Sequence, residues 1–231
     1  MQNTQSQSVV SRRQVLQNLG VALAVPTMLS AHEPVLQSTD QSALSPQDAL
    51  TRLYEGNARF VAEKSLAPHR DMNRLKEIAP KQTPFAAFLG CADSRVPIEI
   101  IFDQGFGDLF VTRIAGNVVT PECIGSHEFA TYLLGAKILY ILGHTSCGAV
   151  DAAAKGKEVP GQISTLFQHI RPAIKAASGN VPRAIHENVK IQAALLAESS
   201  PVIAKLLSDK KLIIAGGVYH LDSGKVEPIQ L

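Results

Sequence analysis

The sequence has no tryptophan, only three cysteines and almost no excess of either charge. Three is an odd number as well as a small one, which excludes a full disulfide framework. The 22 basic and 20 acidic residues leave a formal net charge of +2. That balance gives no electrostatic reason to expect nucleic acid or an anionic membrane as partner. No internal repeat or low-complexity tract occurs. What is present is ordinary globular material: 231 residues, 45% of them hydrophobic, enough to bury one sizeable core.

The first residues do not belong to that core. Ser11-Arg12-Arg13-Gln14-Val15-Leu16 resembles a twin-arginine export signal. The weakly apolar segment Leu19 to Leu29 follows, interrupted by Gly20 and Pro26. It is too short to span a bilayer and has the length of a signal's apolar region. Residues 1–31 are therefore read as an export signal, 32–44 as a polar linker and 45–231 as the folded domain. The expected address is the periplasm or an equivalent extracytoplasmic or luminal space, with no stable membrane span after processing.

Ser45-Pro46-Gln47-Asp48 marks a helix start, with Ser45 as cap and Pro46 in the first turn. That helix is expected to run through Lys64. Gly56-Asn57 costs it stability and so implies a packing reason. A short helix is expected near Arg70 to Ile78. Buried strands are read at Phe85–Gly90, Leu109–Ile114, Ala136–Leu142 and Lys211–Tyr219, with a fifth at Gly224–Ile229. Helices are read at Val96–Phe102, Glu122–Leu134, Cys147–Lys155, Gln162–Ala177 (kinked at Pro172) and Val181–Glu198. The third-strand approach, Glu122–Leu134, is expected to bury Ile124, Phe129, Leu133 and Leu134. This alternation predicts an α/β fold: a largely parallel four-stranded sheet with a fifth, antiparallel edge strand, flanked by helices.

Ligands of such sheets bind at the carboxyl ends of the strands. Cys91, Ala115, His144 and Cys147 all fall there. Two thiols and an imidazole from neighbouring strand ends suit a catalytic zinc whose fourth position stays open. His144 and Cys147 are three apart, a spacing that lets both reach one ion. Cys147 opens a helix, where the dipole is expected to lower its pKa and favour the thiolate. Gly143 and Gly148 flank the pair, where backbone is expected to pass close to the metal. Cys123, His127, His169, His186 and His220 have no comparable neighbours and are read as structural.

Cys91-x-Asp93-Ser94-Arg95, followed about fifty residues on by His144-x-x-Cys147, resembles the β-class carbonic anhydrases. The resemblance covers most of the chain from roughly Ser45 onward. It implies Zn²⁺ held by Cys91, His144 and Cys147, and reversible hydration of carbon dioxide to bicarbonate and a proton. It also implies an Asp93–Arg95 dyad. Arg95 presents a fork that fits the carboxylate bidentately and keeps it ionised, so Asp93 can orient the attacking oxygen. Gln82 matches a residue that reaches a neighbouring subunit's pocket, and Phe110 matches an apolar wall. Phe129 stands where many relatives carry tyrosine. Phe88 stands where relatives with a regulatory bicarbonate pocket carry tryptophan, which puts that mechanism in doubt. A homodimer or dimer-based oligomer is implied too. Two thiolates donate more charge than two imidazoles, so activity is expected to favour alkaline pH.

Three other readings stay open on these residues. One is a hydrolase of carbon disulfide or carbonyl sulfide on the same fold. Another is a zinc-stabilised assembly protein with little activity. The third is a redox module with a reversible Cys91–Cys147 disulfide.

Overall fold

The computed structural model describes residues 43–156 and 158–231. The segments read above as an export signal (1–31) and most of a linker (32–44) lie outside the described residues.

Five strands form one sheet: β1 (Ala86–Gly90), β2 (Leu109–Arg113), β3 (Ile138–His144), β4 (Ile213–Tyr219) and β5 (Val226–Ile229). Their order is β2-β1-β3-β4-β5. The first four are parallel, and β5 pairs antiparallel with β4 as an edge strand. Alternation of side chains sends Ala87, Leu89, Leu139 and Ile141 to one face, and Ala86, Phe88, Ile138 and Tyr140 to the other. Both faces are covered, which is why β1 and β3 read as unbroken apolar runs. The expected fold class and all five strands are present.

Eight helices surround the sheet among the described residues: α1 (Pro46–Val61), α2 (Met72–Ile78), α3 (Ile98–Ile101), α4 (Pro121–Glu128), α5 (Gly148–Ala154), α6 (Ile163–Ala176), α7 (Val181–Ser199) and α8 (Pro201–Ser208). Ser45 caps α1 by accepting from the Asp48 N–H at 3.1 Å. The helix ends at Val61 rather than Lys64, and Glu63 turns back with φ 55°. Gly56-Asn57 does have a packing reason. A Cβ at Gly56 would stand 1.9 Å from the Phe102 carbonyl oxygen, so the close approach of α1 to α3 outweighs the helix cost of glycine. The Asn57 amide donates to the Ile101 and Gly224 carbonyls and accepts from the Val226 N–H. One buried side chain thus ties α1 to α3 and to the start of β5.

Two expectations about helices are corrected. The segment after Thr120 does not bury Phe129 and Leu133, which are 44% and 64% exposed. Its buried face is Cys123, His127, Ala130 and Thr131, a regular helical spacing hidden in the sequence by two polar residues. From Phe129 to Leu133 the helix widens to a π-turn, with Leu134 N–H reaching the Phe129 carbonyl. The second correction is α8, which was not anticipated. Ser200 ends α7 and caps α8, its hydroxyl accepting from the Ile203 N–H, with Pro201 in the first turn.

Candidate metal centre

In the order β2-β1-β3-β4, connections leave β1 toward one edge and return on its other side at β3. The gap between the ends of β1 and β3 is therefore the topological switch point of the sheet. Cys91 directly follows β1, His144 is the last residue of β3, and Cys147 precedes α5. Their ligating atoms all lie within 4.8 Å of one another, and all three residues are buried. A tetrahedral zinc with Zn–S of about 2.3 Å and Zn–N of about 2.0 Å needs ligand atoms roughly 3.5 Å apart. The three donors are thus almost gathered by the fold alone.

His144 supplies the clearest test of fit. Its Nδ1 lies 2.9 Å from the Thr145 carbonyl oxygen, which can only accept. Nδ1 therefore carries the proton, and Nε2 presents a lone pair. That Nε2 is buried and has no hydrogen-bond partner among the described residues. A cation held with Cys91 and Cys147 would satisfy it, and two thiolates with one imidazole are a zinc donor set.

The two thiols divide unequally. Cys91 is held well below the ordinary thiol range, chiefly because the Cys147 thiol donates to it; the Gly116 N–H, 3.3 Å from Cys91 Sγ, adds to the effect. Cys147 is pushed up, first by that same hydrogen bond and then by burial. Backbone N–H groups of Ala149 and Val150 at the start of α5 do lower it, as expected, but the proton shared with Cys91 outweighs them. A bound dication would displace that proton.

Asp93 and Arg95 form a bidentate pair. Arg95 Nε donates to Asp93 Oδ1 at 3.0 Å and Nη2 to Oδ2 at 2.8 Å, while the Arg95 backbone N–H also donates to Oδ1. The side-chain bond from Arg95 holds Asp93 well below the usual carboxylate range. Arg95 Nη2 also reaches the Ser146 carbonyl at 3.3 Å, linking the Cys91 turn to the Cys147 turn. Asp93 Oδ2 stands 3.9 Å from His144 Nε2, at the edge of the three-donor group.

Other expected residues lie elsewhere. Gln82 is exposed ahead of β1, at the far end of that strand from Cys91. It lines a cavity of about 160 Å³ with Leu133, Leu134 and Lys137. Phe110 on β2 and Phe129 meet each other, ring centroids 6.4 Å apart. Gly148 has no steric need for glycine, since a Cβ there meets no atom within 4 Å. At Gly143 the constraint is Val189, 2.8 Å from a Cβ, rather than the metal loop. Cys123 is buried, as read, with its thiol 3.8 Å from the Val118 carbonyl.

Three contributors escaped the sequence reading. Arg113, at the end of β2, donates to the Cys91 carbonyl at 2.9 Å and to the Asp93 carbonyl. The Gly116 N–H faces Cys91 Sγ. Thr145 Oγ1 accepts from the Leu221 N–H and anchors the loop after His144. Their position at strand ends was the one available signal, and it does not single them out.

A family model described as carbonic anhydrase matches residues 86–226. A carbonic anhydrase of Mycolicibacterium smegmatis is 39% identical over 191 residues, covering 79% of this chain and 93% of that protein. Among solved structures, a β-carbonic anhydrase of Aspergillus fumigatus is similar with a TM-score of 0.64 and 26% identity, covering 80% of this chain and 90% of that one. A tetrameric β-carbonic anhydrase of Sordaria macrospora has the same fold at a TM-score of 0.65 and 21% identity, covering 80% and 98%. The family match spans β1 to β4 and reaches the first residue of β5, and both turns that carry Cys91, His144 and Cys147 lie inside it. By sequence and by fold alike, this chain belongs to the β-class carbonic anhydrases.

Proposed function

We propose that this chain is a zinc-dependent carbonic anhydrase that interconverts carbon dioxide and water with bicarbonate and a proton. The observation that carries the reading is the Asp93 carboxylate, clamped by Arg95 and 3.9 Å from the unpartnered Nε2 of His144. A structural zinc site has no need of an ionised acid held at its edge.

Cys91, His144 and Cys147 would hold the ion. Zn²⁺ in such a three-ligand site supplies a Lewis acid that brings the ionisation of water toward neutral pH. Asp93 does the positioning. Arg95 occupies both carboxylate oxygens from one side, so only the remaining lone pairs accept from a water at the site. Accepting that O–H fixes where the water's own lone pair points, toward the carbon of the substrate. Arg113 and the Arg95–Ser146 bond keep the two turns from drifting apart. Cys91, His144 and Cys147 are buried, whereas the Arg95–Asp93 pair beside them is open to solvent.

A dimer-based assembly completes this reading. β2 is an edge of the sheet, and Phe129, Tyr132 and Leu133 expose apolar surface nearby in the chain. Gln82 sits far from the donors of its own chain, consistent with service in a neighbour's pocket. Export by the twin-arginine route, which carries folded proteins, would deliver the ion already bound and keep both thiols from pairing as a disulfide.

The test is stopped-flow carbon dioxide hydration by the purified protein, with zinc measured on the same sample. About one zinc per chain and hydration well above the buffer rate are expected. Zinc without hydration would favour an assembly role, and turnover of carbonyl sulfide in preference to carbon dioxide would favour the related hydrolase.

A further inference from the structure

Two amides buried in α7 have no place in the chemistry above. Asn188 and Gln192 lie one helical turn apart on the same face, and both are fully buried. Burying an amide is costly unless its donors and acceptor are used. Here they are. Asn188 Nδ2 donates to the Gly116 carbonyl at 2.9 Å, and Asn188 Oδ1 accepts from Gln192 Nε2 at 3.1 Å. Gln192 Oε1 accepts from the Val119 N–H at 2.7 Å, and its Nε2 also reaches the His169 carbonyl. Both side chains therefore grip one short loop, the one that leaves β2.

That loop is bent into an unusual shape. Gly116 and Asn117 both have positive φ, at 77° and 44°. A Cβ at Gly116 would lie 2.8 Å from Ile170 Cδ1, so the backbone itself is pressed into the core. Glycine takes such a φ freely, but Asn117 at 44° costs conformational energy and persists only where neighbours over-determine it. The result of the bend is specific: the Gly116 N–H is aimed at Cys91 Sγ, 3.3 Å away.

We infer that Asn188 and Gln192 are positioning residues for the metal centre, holding the Gly116 N–H as a hydrogen-bond donor to the Cys91 thiolate. The inference rests on Cys91 being a metal ligand, as proposed above. A hydrogen bond to a thiolate draws charge from the sulfur. It favours the ionised ligand while making that ligand a weaker donor, which leaves the metal a stronger Lewis acid. Removal of such an outer partner typically costs about 10–100-fold in metal affinity or activity.

The experiment uses the full protein loaded with cadmium-113. An N–H···S bond to a ligating sulfur transmits spin coupling from the metal to the amide proton, so a cadmium-edited nitrogen-15 spectrum should show coupling at Gly116. Asn188→Leu, close in volume, should lose that coupling and bind zinc about 10–100-fold more weakly in chelator competition. The thiolate-to-metal charge-transfer band of its cobalt form should shift as well. A purely structural role would lower the melting temperature and leave all three readouts unchanged. If Asn188→Leu does not fold, Gln192→Met provides the milder change and should weaken the Gly116 coupling. Absence of coupling in the wild-type protein overturns the inference, as does an unchanged coupling and zinc affinity in a folded variant. Coupling at Gly116 in a protein that fails to hydrate carbon dioxide would sink the proposed activity alone and leave this inference standing.

Discussion

Asp93 Oδ2 lies 3.9 Å from His144 Nε2 while both of its oxygens are forked by Arg95. The acid is near enough to act on whatever His144 helps to hold, yet it is restrained from moving onto that group itself. The pair joins the end of β1 to the end of β3, and the Arg95–Ser146 bond closes the ring.

Asp93→Asn should retain zinc and lose rate. The amide keeps the size but removes the charge, and its NH₂ donates where a carboxylate accepts. Loss of one positioned group of this kind costs on the order of 10²–10⁴ in rate. Stopped-flow hydration across alkaline pH, beside a zinc assay, reads both quantities. Wild-type rates at every pH would reduce the pair to a structural ion bridge.

His144→Ala and Cys147→Ser should lose metal and stability together. With free zinc at 100 times its Kd, binding adds about 2.7 kcal/mol to the folded state. Chelator should lower the melting temperature of the wild type and have no effect on His144→Ala. Full zinc retention in either variant would remove that residue from the donor set.

His127 should make the protein acid-sensitive. It is fully buried, neither ring nitrogen has a partner among the described residues, and burial pushes its pKa down to about 4. Its folded pKa lies below the unfolded value of about 6.5. Protons therefore bind the unfolded chain first, and stability falls as pH drops from about 6.5 to about 4. The full loss is about 3 kcal/mol. Urea unfolding at a series of pH values should show this slope, and His127→Leu should flatten it over that window. An identical slope in the variant would assign the acid sensitivity to other groups.

Arg12→Lys combined with Arg13→Lys should retain the protein in the cytoplasm, if the N-terminal segment is read by the twin-arginine route. Cell fractionation decides this. Export at the wild-type level would mean another route.

Much of this protein was legible because its signals are local. The Ser45-Pro46 cap, the apolar runs of β1 and β3, and the Cys91-x-Asp93-Ser94-Arg95 and His144-x-x-Cys147 spacings each depend on residues within one turn or strand of each other. Local spacing decides which side chains share a face or a loop end, so Cys91, His144 and Cys147, which the fold gathers, and Asp93 and Arg95, which it pairs, could be picked out from the chain alone. The helix after Thr120 misled for the same reason: its buried stripe contains His127 and Thr131, and composition favoured the exposed Phe129 and Leu133 instead.

Tertiary structure decided what surrounds the site. Only the strand order makes β1 and β3 neighbours, bringing Cys91 within reach of His144 and Cys147. Only the packing of α7 sets Asn188 against the Gly116 carbonyl across 72 residues, and only the end of β2 brings Arg113 to the Cys91 and Asp93 carbonyls. Asparagine in a helix and arginine at a strand end are common, and nothing in their sequence neighbourhood marks these two. A buried amide or a guanidinium takes its role from the backbone group it meets, and that partner is chosen by how the elements pack rather than by the residues beside it.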